Sequence, residues 1–593
     1  MDYEKPFDIV IIGGGWAGIT HAKTHLSIHP ESRLLILDKN ATLGGTWSKR
    51  RLYPGLKTNN TVGTIEFSDY PLNKDNGYDI EEGQHIPGTM INQYLNDYCT
   101  IHDLHKRFQF EQDVQQVVKL ENAQGWEITV ATPAPDSSKE KPTHTITTRK
   151  LVVATGLTSE TFIPEFEGAS EFGVPIVHCG HLLDWEERLS GAKNVTIFGG
   201  TKSAWDAAYQ YATNGVHVDM VIRESGHGPC WMSPSRVTPF NKCIEKLVST
   251  RALTFFSPCI WGNAGGYVGW RNFLHKTAVG RAIVQGFWTV LGNDVLTTNG
   301  YSKHPETKKL APWIDAFWIA NGLSILNYPT DFFDLVKENK ITVHVADITH
   351  LSQRTIHIMS TSDSGRKATK AIETDALICS TGWKFHPPLN FVDTTGKSID
   401  MDLGLPYHDE TPEKEDTRIQ AADQQVLREF PSLINQPVIN SKMKPMPSKS
   451  VERTYNRGFQ LYRFIVPPSC AHERTIVFQG CLQTICTVMV NQAQALWSTA
   501  YFDGKIDLDG KSEQEIKDEA LLYARFSKWR APGGYGSRYP DFAFDSIPYI
   551  DWLLKDIGIN TARKDGWWQE LWHPYIAPDY KGIWDEYKQK HGL

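Results

Sequence analysis

The stretch Phe7 to Trp47 reads FDIVIIGGGWAGITHAKTHLSIHPESRLLILDKNATLGGTW, and it decides the fold. Asp8-Ile9-Val10-Ile11-Ile12 is apolar and β-branched and ends in glycine, the pattern of a parallel strand buried on both faces. Gly13-x-Gly15-x-x-Gly18 follows at once. Its first glycine allows a tight turn, its second lets a pyrophosphate approach the backbone, and its third lets a helix pack on the strand. An amphipathic helix is expected to begin at Trp16 and Ala17, with free N–H groups that favour an anion. Leu34 to Leu37 forms the second strand, and Asp38, twenty positions after Gly18, would accept hydrogen bonds from an adenosine ribose. Lys39 follows the acid, and Gly45, Thr46 and Trp47 close the unit. The whole is a βαβ unit for a dinucleotide, and these residues are its candidate cofactor contacts.

At 593 residues the chain exceeds one compact core, so two or more lobes are expected. A net charge of -7 without a basic stripe excludes a nucleic-acid footprint. Nineteen tryptophans suit pockets for flat organic molecules. The nine scattered cysteines form no CxxC, which points away from zinc, from any other metal and from a disulfide framework. The charged start and the lack of a long apolar run predict a cytoplasmic chain with no signal peptide or transmembrane helix. Aromatic, amphipathic pieces between 225 and 327 are compatible with weak attachment to a membrane surface, and a homo-oligomer is left open.

After Trp47 runs a loop carrying Thr58, Asn59 and Asn60. A helix is expected over Thr89 to Leu104 and strands at Val114 to Val118 and Trp126 to Val130, with a hairpin or loop from Pro133 to Lys141. Lys150 to Gly156 reads as a buried strand ending in Ala154-Thr155-Gly156. A second nucleotide unit follows, with a strand at Asn194 to Phe198, the turn Gly199-Gly200-Thr201-Lys202-Ser203-Ala204, a helix to Thr213 and a strand from Val216 to Ile222. Thr201 replaces the second glycine. Arg223 stands where the first unit has an acid and could pair with a 2′-phosphate, which favours NADPH over NADH; Lys202 would assist. Asp375 to Trp383 reads as one strand ending in Ser380-Thr381-Gly382-Trp383. Asp400 to Ser450 reads as a polar surface insertion, Arg474 to Gly480 as a strand returning to the first sheet, and Val488 to Phe502 as its helix. The tail is aromatic enough to pack on the body.

The expected architecture is α/β: two interleaved Rossmann-like dinucleotide-binding domains, an aromatic-rich insertion and a C-terminal extension. The boundaries are 1–185 for the first part of the FAD domain, 186–390 for the NADPH domain, 391–510 for the polar insertion and return, and 511–593 for the extension.

Gly13-x-Gly15-x-x-Gly18, Gly44 to Trp47, Glu66-Phe67-Ser68-Asp69-Tyr70, the ATG and STGW ends and Gln494-Ala495-Leu496-Trp497 together resemble the flavin-containing monooxygenases, in a fungal form. The resemblance covers the chain to about Phe502, and its tail also looks fungal. It implies FAD and NADPH, O₂ activated as a flavin C4a-(hydro)peroxide, and a small organic substrate as partner. It places Asn59 as the catalytic residue beside flavin and nicotinamide, where Baeyer–Villiger members resemble one another in having aspartate. That leans toward oxygenation of a heteroatom, nitrogen or sulfur, and N-oxygenation of an amine or indole is the leading expectation. It also marks Val114, Thr155, Gly156, Thr381, Gly382 and Gln483 as cofactor contacts, beside Thr58, Asn59, Asn60, Gly199, Thr201, Lys202, Ser203, Ala204 and Arg223. The Baeyer–Villiger fingerprint is broken: Phe172-Gly173 and His178 have the wrong spacing, and Trp185 falls four after His181. His178 and His181 are therefore expected to be linker or packing histidines. Ketone oxidation and, more distantly, flavin disulfide oxidoreduction are the alternatives.

Overall fold

A computed structural model describes residues 3–133, 141–237, 241–319, 322–361, 364–448, 455–532 and 536–593. Most of the hairpin or loop expected at Pro133 to Lys141 lies outside them. The first sheet grows from the opening stretch. Phe7–Ile12 lies parallel to Leu34–Leu37 on one side and Thr143–Val153 on the other, with Ile11 opposite both Ile36 and Val152. Phe108–Gln109 extends it at one edge. At the other, Thr143–Val153 turns antiparallel to Trp126–Ala131, which pairs with Asp113–Lys119. Ile476–Phe478 returns from far along the chain to pair with Leu151–Val153, as expected. The inner strands are apolar because both faces are covered, one by the helices Trp16–Ile28 and Thr487–Phe502 and the other by the antiparallel strands Asp113–Lys119 and Trp126–Ala131.

The second sheet has five parallel strands, in the order Ile176–His178, Leu377–Cys379, Asn194–Phe198, His217–Ile222 and Ile341–Val345. The Rossmann-like α/β arrangement is thus present twice, each sheet with helices on one face and antiparallel strands on the other. The strand expected over Asp375 to Trp383 is shorter, because the chain leaves the sheet after Cys379 and Gly382 takes a φ of +86°.

Two sequence expectations are corrected. The helix Trp16–Ile28 is buried on nearly every side, not amphipathic. It is covered by Thr487–Phe502 and by the C-terminal extension, and its polar side chains find partners in distant parts of the chain. His21 Nδ1 lies 2.6 Å from Gln479 Oε1, Lys23 pairs with Asp69 at 2.6 Å, and Trp584 Nε1 donates to Thr24 Oγ1. Burial pushes the His21 imidazole down to about 4, so it is neutral at physiological pH. Nor is the stretch Asp400 to Ser450 only surface. Its helix Thr417–Glu429 buries Ile419, Ala422 and Val426 and packs on Glu513–Arg530, where Asp423 accepts from Arg525 and Trp529. Residues 449–450 of that stretch lie outside the described residues.

The insertion is welded to the extension by one buried arginine. Arg251 donates to Asp551, Glu570, Tyr575 and the Thr561 carbonyl, with the Arg251 and Asp551 side chains almost wholly buried. A buried charge tolerates that position only because each donor is paired.

Candidate active site

The first glycine turn separates packing from space. A Cβ on Gly18 would lie 1.9 Å from the Gly13 carbonyl oxygen, and one on Gly13, at φ +113°, would lie 2.4 Å from the Ala154 oxygen. Those two glycines are demanded by the fold itself. A Cβ on Gly15 would meet nothing closer than Gly45 Cα, at 3.5 Å. The room left between Gly15 and Gly45 is a cradle that a side chain would fill, at the N-terminus of the helix Trp16–Ile28. Two buried polar atoms at this turn, Trp16 Nε1 and Thr155 Oγ1, lack a protein partner among the described residues. Gly156 takes a φ of +69° with open space beyond it. These features fit a dinucleotide such as FAD.

Asp38 closes the second strand and is buried. Its Oδ2 accepts from Gly14 N at 2.7 Å and its Oδ1 from Asn40 N at 2.8 Å. Burial raises its carboxyl, and these hydrogen bonds oppose the rise. It therefore shapes the glycine turn. Lys39 is exposed and donates to Ser159 O, while Thr46 Oγ1 meets Thr158 Oγ1 at 3.0 Å. The Trp47 carbonyl accepts from Asn92. The Val114 side chain is taken up by the core on the Trp126 side of the sheet, so only its backbone could face a ligand.

At the second turn, Gly199 has φ +138°, with a Cβ position 2.5 Å from Ser380 O. Thr201 is the exposed N-cap of Lys202–Thr213, Ser203 is half-buried, and Ala204 packs in the core where a third glycine would stand. Lys202 is not arranged to assist Arg223. Its ammonium pairs with Asp206, donates to Asn327 Oδ1 at 2.9 Å and lies over the Tyr328 ring, so its charge is already neutralised. Arg223 is half-buried at the end of His217–Ile222. Nearby His227 is pushed down to about 4 by burial and then by Arg538 and Arg223, so the extension brings a second guanidinium to this end. Thr381 Oγ1 donates to the Phe162 carbonyl, and the Gly382 carbonyl faces His178 Nε2 at 2.9 Å. His178 thus ties the linker to the STGW turn, and exposed His181 pairs with Asp184.

Asn59 and Asn60 lie on Lys57–Thr61 and line a polar pocket of about 100 Å³ with Gln483, Glu245 and Asp541. Thr58 is buried behind it, its hydroxyl donating to Asn60 O and accepting from Ile86 N. The pocket shares Ile244, Leu323 and Ala543 with an apolar cavity of about 400 Å³, lined by Trp231, Leu247, Phe287, Trp288 and Phe544 among others. The helix Ala278–Asn299 forms much of its wall.

Sequence reasoning missed four residues of this region. Glu245 is buried in the insertion, and its carboxyl is pushed up to about 7 by burial. Asp541 arrives from the extension, where Asp541–Phe542 pairs with Gln483–Thr484. Arg51 lies over the Trp383 ring and donates to Thr158 O, joining the loop after Trp47 to both S/T-Gly ends. Asn327 bridges Lys202 to the Thr58 carbonyl. Only Arg51, beside Tyr53-Pro54-Gly55, carried a local signal.

Comparison with known proteins decides the family. A profile described as pyridine nucleotide-disulphide oxidoreductase matches residues 10–256. The FAD-dependent monooxygenase rstn6 of Aspergillus nomiae is 31% identical over 99% of this chain and 99% of its own. The FAD-dependent monooxygenase resA of Aspergillus sclerotiorum is 32% identical over 98% of each. The chain belongs to the FAD-dependent monooxygenases. The polycyclic ketone monooxygenase of Thermothelomyces thermophila superposes on this monooxygenase with a TM-score of 0.59, covering 94% of this chain and 88% of that one at 14% identity, a likeness of fold. FAD and NADPH are the cofactors of this monooxygenase, and a small molecule and O₂ are its substrates. The disulfide alternative finds no reactive thiol near the return strand, because burial pushes Cys481 and Cys486 up to about 12. No described helix is long and apolar enough to cross a membrane.

Proposed function

We propose that this monooxygenase oxygenates the nitrogen of an apolar, secondary-metabolite-like amine or indole, with Asn59 beside the reacting atoms. One observation carries the reading: the apolar cavity adjoins the polar pocket that holds Asn59, with Ile244, Leu323 and Ala543 lining both. The cavity would take the body of the substrate and exclude water. Asp541 brings a carboxyl to the polar end, beside Glu245, whose oxygens are taken up by Asn60, Thr61 and Thr64, and no Lys, Arg or His is among its described lining residues. That polarity draws a basic nitrogen and offers a carbonyl oxygen no cation.

FAD, reduced by NADPH, supplies the chemistry that activates O₂. The protein's part is to bind, orient and shield. Gly13 to Gly18 and the helix behind them would receive the flavin pyrophosphate, with Thr155, Gly156, Gly45, Thr46 and Trp47 around it. Asp38 would hold the ribose. Gly199 to Ala204, Thr381 and Gly382 would receive NADPH, with Arg223 on its 2′-phosphate. The Asn59 amide would donate a hydrogen bond without adding charge, and Gln483 would close the pocket. In this assignment 1–185 and 391–510 form the FAD domain, 186–390 the NADPH domain, and 511–593 the extension that completes the pocket.

Asn59→Ser is expected to keep FAD and lower product per NADPH by about 5- to 10-fold, the effect of one lost hydrogen bond. Unchanged coupling, measured as product and H₂O₂ per NADPH, would remove Asn59 from the chemistry.

We place the enzyme in the cytoplasm, weakly held at lipid surfaces. The support is Val290, which is 63% exposed yet lines the cavity, with exposed Trp270, Val279 and Ile283. Co-sedimentation with phosphatidylcholine vesicles should pellet part of the protein; no pelleting at any lipid concentration sinks this part.

A further inference from the structure

The strand carrying Asn59 is poorly held by its own ladder. Lys57–Thr61 pairs with His85–Pro87 only at Lys57 with Pro87 and Thr61 with His85, and the register breaks between them. The insertion supplies what the ladder lacks. At one end, Glu245 Oε1 accepts from Asn60 Nδ2 at 2.5 Å. Its Oε2 accepts from Thr61 N at 2.8 Å, Thr61 Oγ1 at 2.9 Å and Thr64 Oγ1 at 3.1 Å. At the other end, Asn327 Nδ2 donates to the Thr58 carbonyl at 2.9 Å, while Asn327 Oδ1 accepts from Lys202 Nζ at 2.9 Å. Asn59 lies between these two grips.

We propose that Glu245 and Asn327 are positioning residues: together they clamp the Asn59 strand from the insertion, and through Lys202 they tie it to the second nucleotide turn. The inference rests on the reading that Asn59 faces the flavin. The chemistry of each contact fits the task. Glu245 is 3% exposed, so its carboxyl has little water to turn to and four protein donors instead. Asn327 is 8% exposed and uses both ends of its amide, one on each nucleotide unit. The insertion thereby sets the geometry of the strand as well as enclosing the cavity.

Two substitutions separate positioning from folding. Glu245→Gln keeps the size but cannot serve every donor. Turning its oxygen to Thr61 and Thr64 sets its NH₂ against Asn60 Nδ2, whose other partners are Ile485 O at 3.0 Å and Thr64 Oγ1 at 3.5 Å. Asn327→Asp keeps an acceptor for Lys202 and sets a carboxylate against the Thr58 carbonyl. The readout needs no substrate: NADPH + H⁺ + O₂ gives NADP⁺ + H₂O₂ when oxygen activation is not protected. Each variant should bind FAD fully, keep the NADPH KM and the anaerobic rate of flavin reduction, and release H₂O₂ at least about fivefold faster than wild type. Wild-type H₂O₂ rates in both yellow variants overturn the clamp. Lost FAD or a raised NADPH KM in place of faster H₂O₂ release also overturns it, since the contacts would then serve folding or nucleotide binding. If Asn59→Ser leaves coupling unchanged, the Asn59 reading falls whatever these two variants do.

Discussion

Gly15→Val is expected to give a folded but colourless protein, with FAD bound at least about 100-fold more weakly, or ~2.7 kcal/mol. The reason is the unequal surroundings of the three glycines. Gly15 faces no backbone closer than Gly45 Cα at 3.5 Å, so the protein alone accepts a side chain there. A pyrophosphate drawn to the helix N-terminus does not, because the valine methyls would take its place. Gly18→Val is the control and should fail to fold, since its Cβ would sit 1.9 Å from Gly13 O. Circular dichroism and the flavin absorbance of the purified protein read the two outcomes. A yellow, fully loaded Gly15→Val protein would move the flavin away from this turn.

Arg223→Ala is expected to raise the NADPH KM about 10- to 150-fold, corresponding to ~1.5–3 kcal/mol for a charged hydrogen bond. The KM for NADH should change less than about twofold, because NADH carries no 2′-phosphate for the guanidinium to meet. Arg538 acts on the same His227 as Arg223, so it should retain part of the attraction and place the loss toward the lower end of that range. Lys202→Ala should not reproduce this selectivity, since Asp206 already neutralises its charge. Steady-state kinetics with both nucleotides decides the point. Equal effects on NADPH and NADH would end the phosphate role of Arg223.

What was legible in the sequence was local. A glycine turn between an apolar strand and a helix writes its geometry into a few neighbouring residues, and both nucleotide units were read that way. The return of Ile476–Phe478 was legible because a short apolar run needs a sheet to enter. The helix Trp16–Ile28 was misread as amphipathic because its cover comes from Gln479, Trp584 and other residues hundreds of positions away. The burial of Thr417–Glu429 depends in the same way on Glu513–Arg530. Glu245 was invisible because it gains meaning only by meeting Asn60, Thr61 and Thr64 across more than 180 positions. Lys202 looked like a phosphate ligand until Asp206, one helical turn on, claimed it. The polar pocket itself joins loop, insertion, return strand and extension, and no single stretch contains its pattern.

The most direct test is aerobic turnover of the yellow holoenzyme with NADPH and ¹⁸O₂ on a panel of apolar amines, indoles, sulfides and ketones, read by mass spectrometry. We expect one ¹⁸O atom per product molecule, bound to nitrogen in an amine or indole product. Labelled lactones or esters from the ketones, with the amines and indoles unchanged, would contradict it.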